Sequence, residues 1–166
     1  MHVRTTIAVI ALTAAVLLLS QAQGFSQGAR GGAELAELWG EDPKAYLGIT
    51  VPRFPNLFCL YGPGTNLAHA GSIIFHSECQ VRYVMGCLEA LLEQRGAALD
   101  CKQETCDAYN ERLQARLAQL VWSHPGMHNW YKNSRGKVIA TSPWLLLDYW
   151  RWTRQPDLSD YDMLRR

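Results

Sequence analysis

Between Val51 and Tyr83 the chain reads VPRFPNLFCLYGPGTNLAHAGSIIFHSECQVRY: a short apolar run, a glycine break, then the start of a long helical pattern. The run from Asn56 to Tyr61 is short and apolar, which predicts a buried strand. Pro52 and Pro55 keep the approach to it extended. Gly62-Pro63-Gly64-Thr65-Asn66 ends the run, and helical spacing begins near Ser72. A strand, a glycine loop and a helix in that order build a cradle for a polar or anionic group. Loop glycines allow close backbone approach, and the first-turn N–H groups have no acceptor inside the helix. The same order of elements also occurs as a plain β-to-α connection that binds nothing, so it leaves both readings open.

The rest of the chain divides by periodicity and punctuation. Gly28 to Gly32 reads as a glycine-rich linker, and Ala33 to Trp39 as a short helix closed by Gly40. Ile73, Ile74, Val81, Val84, Leu88, Leu91 and Leu92 recur at helical spacing until Gly96, which predicts that this set is the buried stripe. Asp100 with Gln103 has the form of a capping box for a second long helix. Tyr109, Leu113, Leu117, Leu120 and Val121 would be its buried stripe, and Pro125-Gly126 its end. Asn129 to Lys132 and Val138 to Thr141 flank Asn133-Ser134-Arg135-Gly136 as a hairpin would. Ser142 before Pro143 predicts the start of a last helix crowded with Trp144, Leu147, Tyr149, Trp150 and Trp152. That aromatic density fits packing against a core or a neighbouring domain.

At 166 residues there is room for one domain, and a net charge of +1 gives no argument for nucleic acid or an anionic membrane surface. The N-terminus is different in kind. His2 and Arg4 precede an apolar run from Ile7 to Leu19, and Ser20-Gln21-Ala22 follows with small residues, as in a secretory signal peptide cleaved after Ala22. The run is short for a membrane span, which needs about 20 apolar residues. Residues 1–27 therefore read as a signal-like or unrelated leader, and 28–166 as the body. The cysteines oppose export. Cys59, Cys79, Cys87, Cys101 and Cys106 are odd in number and lie mostly inside apolar patterns, as reduced, buried thiols do. Cys101 and Cys106 fall at the start of one helix, a poor geometry for a bridge.

Standard catalytic spacings are missing. His76 and Cys79 share a helix face with His69 upstream, yet no CxxC or HExxH occurs and zinc needs four placed ligands. There is no GxSxG, and Ser72 stands at a helix start. Glu104, Asp107 and Glu111 form a solvated helix face.

The wording of the chain is more specific. Phe54-Pro55-Asn56-Leu57-Phe58 followed by Tyr61-Gly62-Pro63-Gly64-Thr65-Asn66 resembles the late flavin-contacting strand and loop of the class B, FAD- and NADPH-dependent monooxygenases. The likeness is to the Baeyer–Villiger type acting on ketones such as 4-hydroxyacetophenone. Leu38-Trp39-Gly40, Asn129-Trp130-Tyr131 and Ser142-Pro143-Trp144 extend it over Glu34 to Tyr161, but not to the first residues. The resemblance implies an α/β fold, α+β for this piece taken alone: the C-terminal part of a flavoprotein with two dinucleotide-binding domains, its Rossmann units incomplete. It further implies that Gly62, Pro63, Gly64, Thr65 and Asn66 seat FAD beside a helix N-terminus, with Ile73 and Ile74 as apolar walls. Trp130 would reach the nicotinamide ribose of NADP through its indole N–H, and Lys137 would favour a 2′-phosphate.

Much of such an enzyme is not spelled here. Neither GxGxxG motif occurs, nor does Phe-x-Gly-x-x-x-His-x-x-x-Trp, and no catalytic residue carries over. Arg53 stands where the resemblance calls for glycine, which would strain the turn, and Gly64 where asparagine is usual. The chain is expected to carry one wall of the site, to be inactive alone, and to need the missing N-terminal portion as partner. The resemblance implies a cytoplasmic protein, while the leader leaves export open. The other reading is a secreted α+β binding or structural protein whose aromatic helix engages a partner.

Overall fold

The computed structural model describes residues 29–67 and 71–165. The leader, its proposed cleavage point, Gly28 and His69 lie outside them. The described part contains four α-helices and two β-strands: α1 (Leu35–Trp39), α2 (Ile73–Glu93), β1 (Ala98–Cys101), α3 (Gln103–Leu117), α4 (Leu146–Trp152) and β2 (Tyr161–Leu164). β1 and β2 pair antiparallel, with Leu99 opposite Met163 and Cys101 opposite Tyr161. The fold is thus a mixed α and β arrangement with extended, turn-rich segments between the helices.

Helix α1 ends as expected on Gly40, whose φ of 46° lets its N–H reach Ala36 O at 2.8 Å. α2 begins where Ser72 accepts from the Phe75 N–H at 3.3 Å. Its buried face differs from the expected one. His76, Cys79, Gln80, Tyr83, Cys87, Ala90 and Leu91 face the core. Ile74, Met85, Leu88 and Leu92 are exposed by 62%, 50%, 40% and 79%. Both sets repeat with the helical period, so hydrophobicity could not choose between the faces. Tyr83 and Gln80 turn inward because their polar tips find partners there: Tyr83 OH and Tyr161 OH lie 2.9 Å apart, Tyr161 OH is 3.1 Å from Thr50 Oγ1, and Gln80 bonds Tyr149 OH. The helix closes with Arg95 at φ 51°, ahead of Gly96.

Other expectations need correction. Asn56 to Tyr61 forms no strand. Asn56 and Tyr61 both have positive φ (60° and 58°), and only Phe58 pairs, in an isolated bridge to Thr50. Asp100 is not a cap but a buried residue of β1, and Lys102 occupies the N-cap of α3 without a side-chain bond. α3 buries Tyr109, Leu113 and Leu117 as read, but it ends at Leu117, and Val121 is 61% exposed. The segment 129–141 is a hairpin reduced to one bridge, Lys132 with Val138. The last helix starts at Leu146 rather than after Ser142. Ser142 is held extended instead by its N–H bond to Asn66 O, and Trp144 by its indole N–H bond to Tyr109 OH at 3.0 Å. The glycine linker is also anchored. Arg30 bonds Asp100 through its guanidinium at 3.2 Å and Arg53 O through its backbone N–H at 2.8 Å.

Arg53 does adopt the backbone of a glycine, with φ 70°. Its N–H donates to Asp100 Oδ1 at 2.9 Å, and that bond holds the turn in a region where L-residues are disfavoured. All five thiols are free, and all but Cys59 are buried.

Candidate functional site

The loop Gly62 to Asn66 is fixed on two sides. Gly64 N–H donates to Ile139 O at 3.1 Å, Asn66 N–H to Ala140 O at 2.9 Å, and Ser142 N–H to Asn66 O at 2.8 Å. Thr65 is fully buried and its hydroxyl closes the turn on Gly62 O at 2.6 Å. On the helix side, Tyr61 N–H donates to Gln80 Oε1 at 2.7 Å. Gln80 Nε2 donates to Tyr149 OH at 3.0 Å, which donates to Leu47 O at 2.7 Å. The Tyr61 hydroxyl donates to the Asn66 side chain and accepts the Leu67 N–H. A buried chain of side-chain bonds therefore ties α2, α4 and the 45–50 turn to the two ends of the loop.

His76 lies at the centre of this frame. Its ring stacks on Tyr149 at 3.8 Å and meets Tyr61 edge-on at 6.5 Å. Burial holds its imidazole down to about 4, so the ring is neutral at physiological pH. Neither ring nitrogen, nor Thr141 Oγ1 on the far side of Asn66, has a hydrogen-bond partner among the described residues.

The two loop glycines also serve packing within the fold. A Cβ on Gly62 would strike Gly48 O and sit 2.9 Å from Cys59 Cβ. On Gly64, at φ 70°, it would lie 2.8 Å from Leu113 Cδ1. Both glycines thus let the backbone approach other parts of the protein. The Leu113 contact also explains why an asparagine at 64 would not fit here without repacking. Among the described residues, the start of α2 is exposed. The N–H groups of Ile73 and Ile74 belong to its first turn, and their side chains are 42% and 62% exposed beside it.

The other expected residues are reached through the loop. Ile139, which accepts from Gly64, donates its own N–H to Tyr131 O at 2.8 Å, so the Trp130–Tyr131 turn and the loop share one hydrogen-bonded layer. Trp130 is 70% exposed, tilted against Tyr131 with ring centroids 4.3 Å apart. Lys137 is not free: its ammonium pairs with Asp42 at 2.6 Å. The loop residues, Ile73, Ile74 and Trp130 are thus accessible or connected, while Lys137 is engaged elsewhere. Gln80, Tyr149 and His76 were not legible as part of the site. A glutamine in the middle of a buried helical face was the one available signal.

No family model matches this chain. Individual proteins do. It is 42% identical over 133 residues to an uncharacterized monooxygenase of Sinorhizobium fredii, covering 80% of this chain and 20% of that protein. It is 36% identical to a Baeyer–Villiger monooxygenase of Pseudomonas aeruginosa, covering 81% of this chain and 25% of the relative. Its homologues are Baeyer–Villiger and FAD-binding monooxygenases. A steroid monooxygenase bound to NADP shares the fold with a TM-score of 0.72 at 24% identity, over 84% of this chain and 26% of that structure. The OTEMO complex with FAD and NADP gives 0.67 at 18% identity, over 81% and 25%. The chain therefore spans about a fifth to a quarter of the monooxygenases it matches. The secreted binding-protein reading finds no support among these relatives, and the thiols it would pair are free. Among the described residues, no helix is long and apolar enough to cross a membrane.

Proposed function

We propose that this chain forms one wall of the cofactor cleft of an FAD- and NADPH-dependent monooxygenase that oxidises ketones or soft heteroatoms. The observation that carries this reading is the open first turn of α2. Its leading N–H groups, which have no acceptor among the described residues, stand beside the exposed residues Ile73 and Ile74, next to a loop locked from both sides. A flat heteroaromatic ring with a polar edge fits that pairing of apolar side chains with backbone donors. Bound flavin would supply the redox and oxygen-activating chemistry. The chain's own part is to place and polarise: Gly62, Pro63, Gly64, Thr65 and Asn66 form a rigid shelf, and the N-terminus of α2 favours negative charge at the ring edge.

For NADPH, Trp130 offers an exposed indole on the layer that continues the loop. Lys137 would assist a phosphate only by leaving Asp42, so its part is secondary to that of Trp130. Both dinucleotide motifs are absent from this sequence, so turnover requires a polypeptide that supplies them.

The test is an FAD titration followed by visible absorbance and flavin fluorescence, with the chain alone and mixed with the dinucleotide-binding portion of a relative. A perturbed flavin spectrum that is lost in Ile74→Asp supports the reading. A flavin spectrum unchanged under both conditions overturns it.

A further inference from the structure

On the face formed by α2 and α4, Arg82, Trp150, Arg151, Arg154 and Gln155 line a cleft of about 650 Å³. The Arg154 guanidinium lies 4.9 Å from the Trp150 ring centroid and the Arg82 guanidinium 5.6 Å, so one indole holds two cations together. Arg82 also reaches Trp150 O at 3.5 Å. The walls are fastened to each other. Pro156 packs so closely on Gly86 of α2 that a Cβ there would lie 2.7 Å from Pro156 Cδ.

The charges in this cleft are not balanced. The ion pairs of the described residues are Arg30–Asp100, Lys137–Asp42 and Arg151–Asp148. Arg151 is therefore partly neutralised, while Arg82 and Arg154 pair with no carboxylate among the described residues. Each guanidinium is a planar fork of five N–H donors, of which Arg82 spends one on Trp150 O. Two such forks lining one cleft, with the Gln155 amide beside them, offer several donors to the acceptor oxygens of a phosphate group.

We propose that this cleft is a binding site for a phosphate-class oxyanion, either free or carried by a phosphorylated small molecule. It is separate from the open start of α2 and does not depend on the flavin reading. The exposure of the arginines sets the strength: binding is weak, in the millimolar range, and falls as salt screens the site.

The test is calorimetric titration of the full chain with inorganic phosphate and with pyrophosphate at constant ionic strength. Saturable binding is expected, with pyrophosphate the tighter ligand. Arg82→Gln and Arg154→Gln should each weaken it about tenfold, or ~1.4 kcal/mol, and the double variant should abolish it. Arg116→Gln, an exposed arginine on α3, should change nothing. These substitutions are at the surface, and an unchanged melting temperature verifies that the fold is kept. Absence of saturable binding, or equal binding in the double variant, overturns the proposal. Tighter binding of pyrophosphate points to a phosphorylated ligand. Equal affinity for the two would overturn the two-fork geometry, since one guanidinium would then suffice.

Discussion

The rings of His76 and Tyr149 lie nearly parallel, 12° apart in plane with centroids 3.8 Å apart, and no described group answers either imidazole nitrogen. Burial lowers the histidine from 6.5 to about 4, so above pH 6.5 it is neutral in both folded and unfolded chain. Between those values only the unfolded chain takes up the proton. Stability should therefore be complete above pH 6.5, decline as pH falls toward 4 and then level off, a loss of up to about 3 kcal/mol from this residue. Denaturant midpoints at neutral and mildly acidic pH measure it. His76→Phe keeps the stack and should flatten that part of the profile; an unchanged slope would assign the acid sensitivity to other groups.

Arg53 occupies a left-handed turn at φ 70°. Replacing it by glycine keeps the backbone bond to Asp100 and removes the Cβ crowding, so Arg53→Gly should raise stability by up to about 1 kcal/mol. Asp100→Ala acts on the same turn in the opposite sense. It strands the Arg53 N–H and the Arg30 guanidinium, at a cost of about 2 kcal/mol. Thermal melts of the two variants should move in opposite directions.

Gly48, at φ 69°, sits against Thr65, with Pro63 O at 3.0 Å from where a Cβ would be. Gly48→Ala combines an unfavourable φ with overpacking against the loop, and about 3 kcal/mol of stability should be lost. Chemical denaturation checks the loss. A cost below ~1 kcal/mol would mean that the loop can shift as a body, contrary to its double anchoring.

Along α2, Ile74, Met85, Leu88 and Leu92 make an exposed apolar stripe. In a chain that spans a fifth to a quarter of its relatives, such a face should drive self-association at raised concentration. Met85→Lys with Leu92→Lys should shift sedimentation profiles toward monomer with little change in melting temperature. If the wild-type chain sediments as a monomer throughout, the stripe is not a self-association surface.

Local chemistry was readable where one residue decides the outcome. Gly40 closes α1 and Ser72 caps α2, each from its own local chemistry, while the resemblance pointed to Arg53 as taking the backbone of a missing glycine. The buried face of α2 was hidden because two stripes of equal period compete, and only the distant partners of Tyr83 and Gln80 settle which one turns inward. β1 was read as a helix cap because Asp100 and Gln103 have capping spacing, while the strand that claims Asp100 lies at Asp162, far along the chain. The wording of the loop pointed to the monooxygenases that the chain turns out to be similar to. It could not reveal that Gly62 and Gly64 spare their Cβ atoms for Gly48 and Leu113, since close approach of two loops leaves no mark on either alone.

The free thiols give the fold a clock. Burial pushes Cys59 up to about 11 and Cys87 and Cys106 up to about 12, so at neutral pH almost none of their sulfur is thiolate. Cys87, in the inward face of α2, and Cys106, in that of α3, are at most 1% exposed. An alkylating reagent must wait for those helices to part before it meets a reactive sulfur. The rate at which each position is labelled then reports how often that part of the core opens.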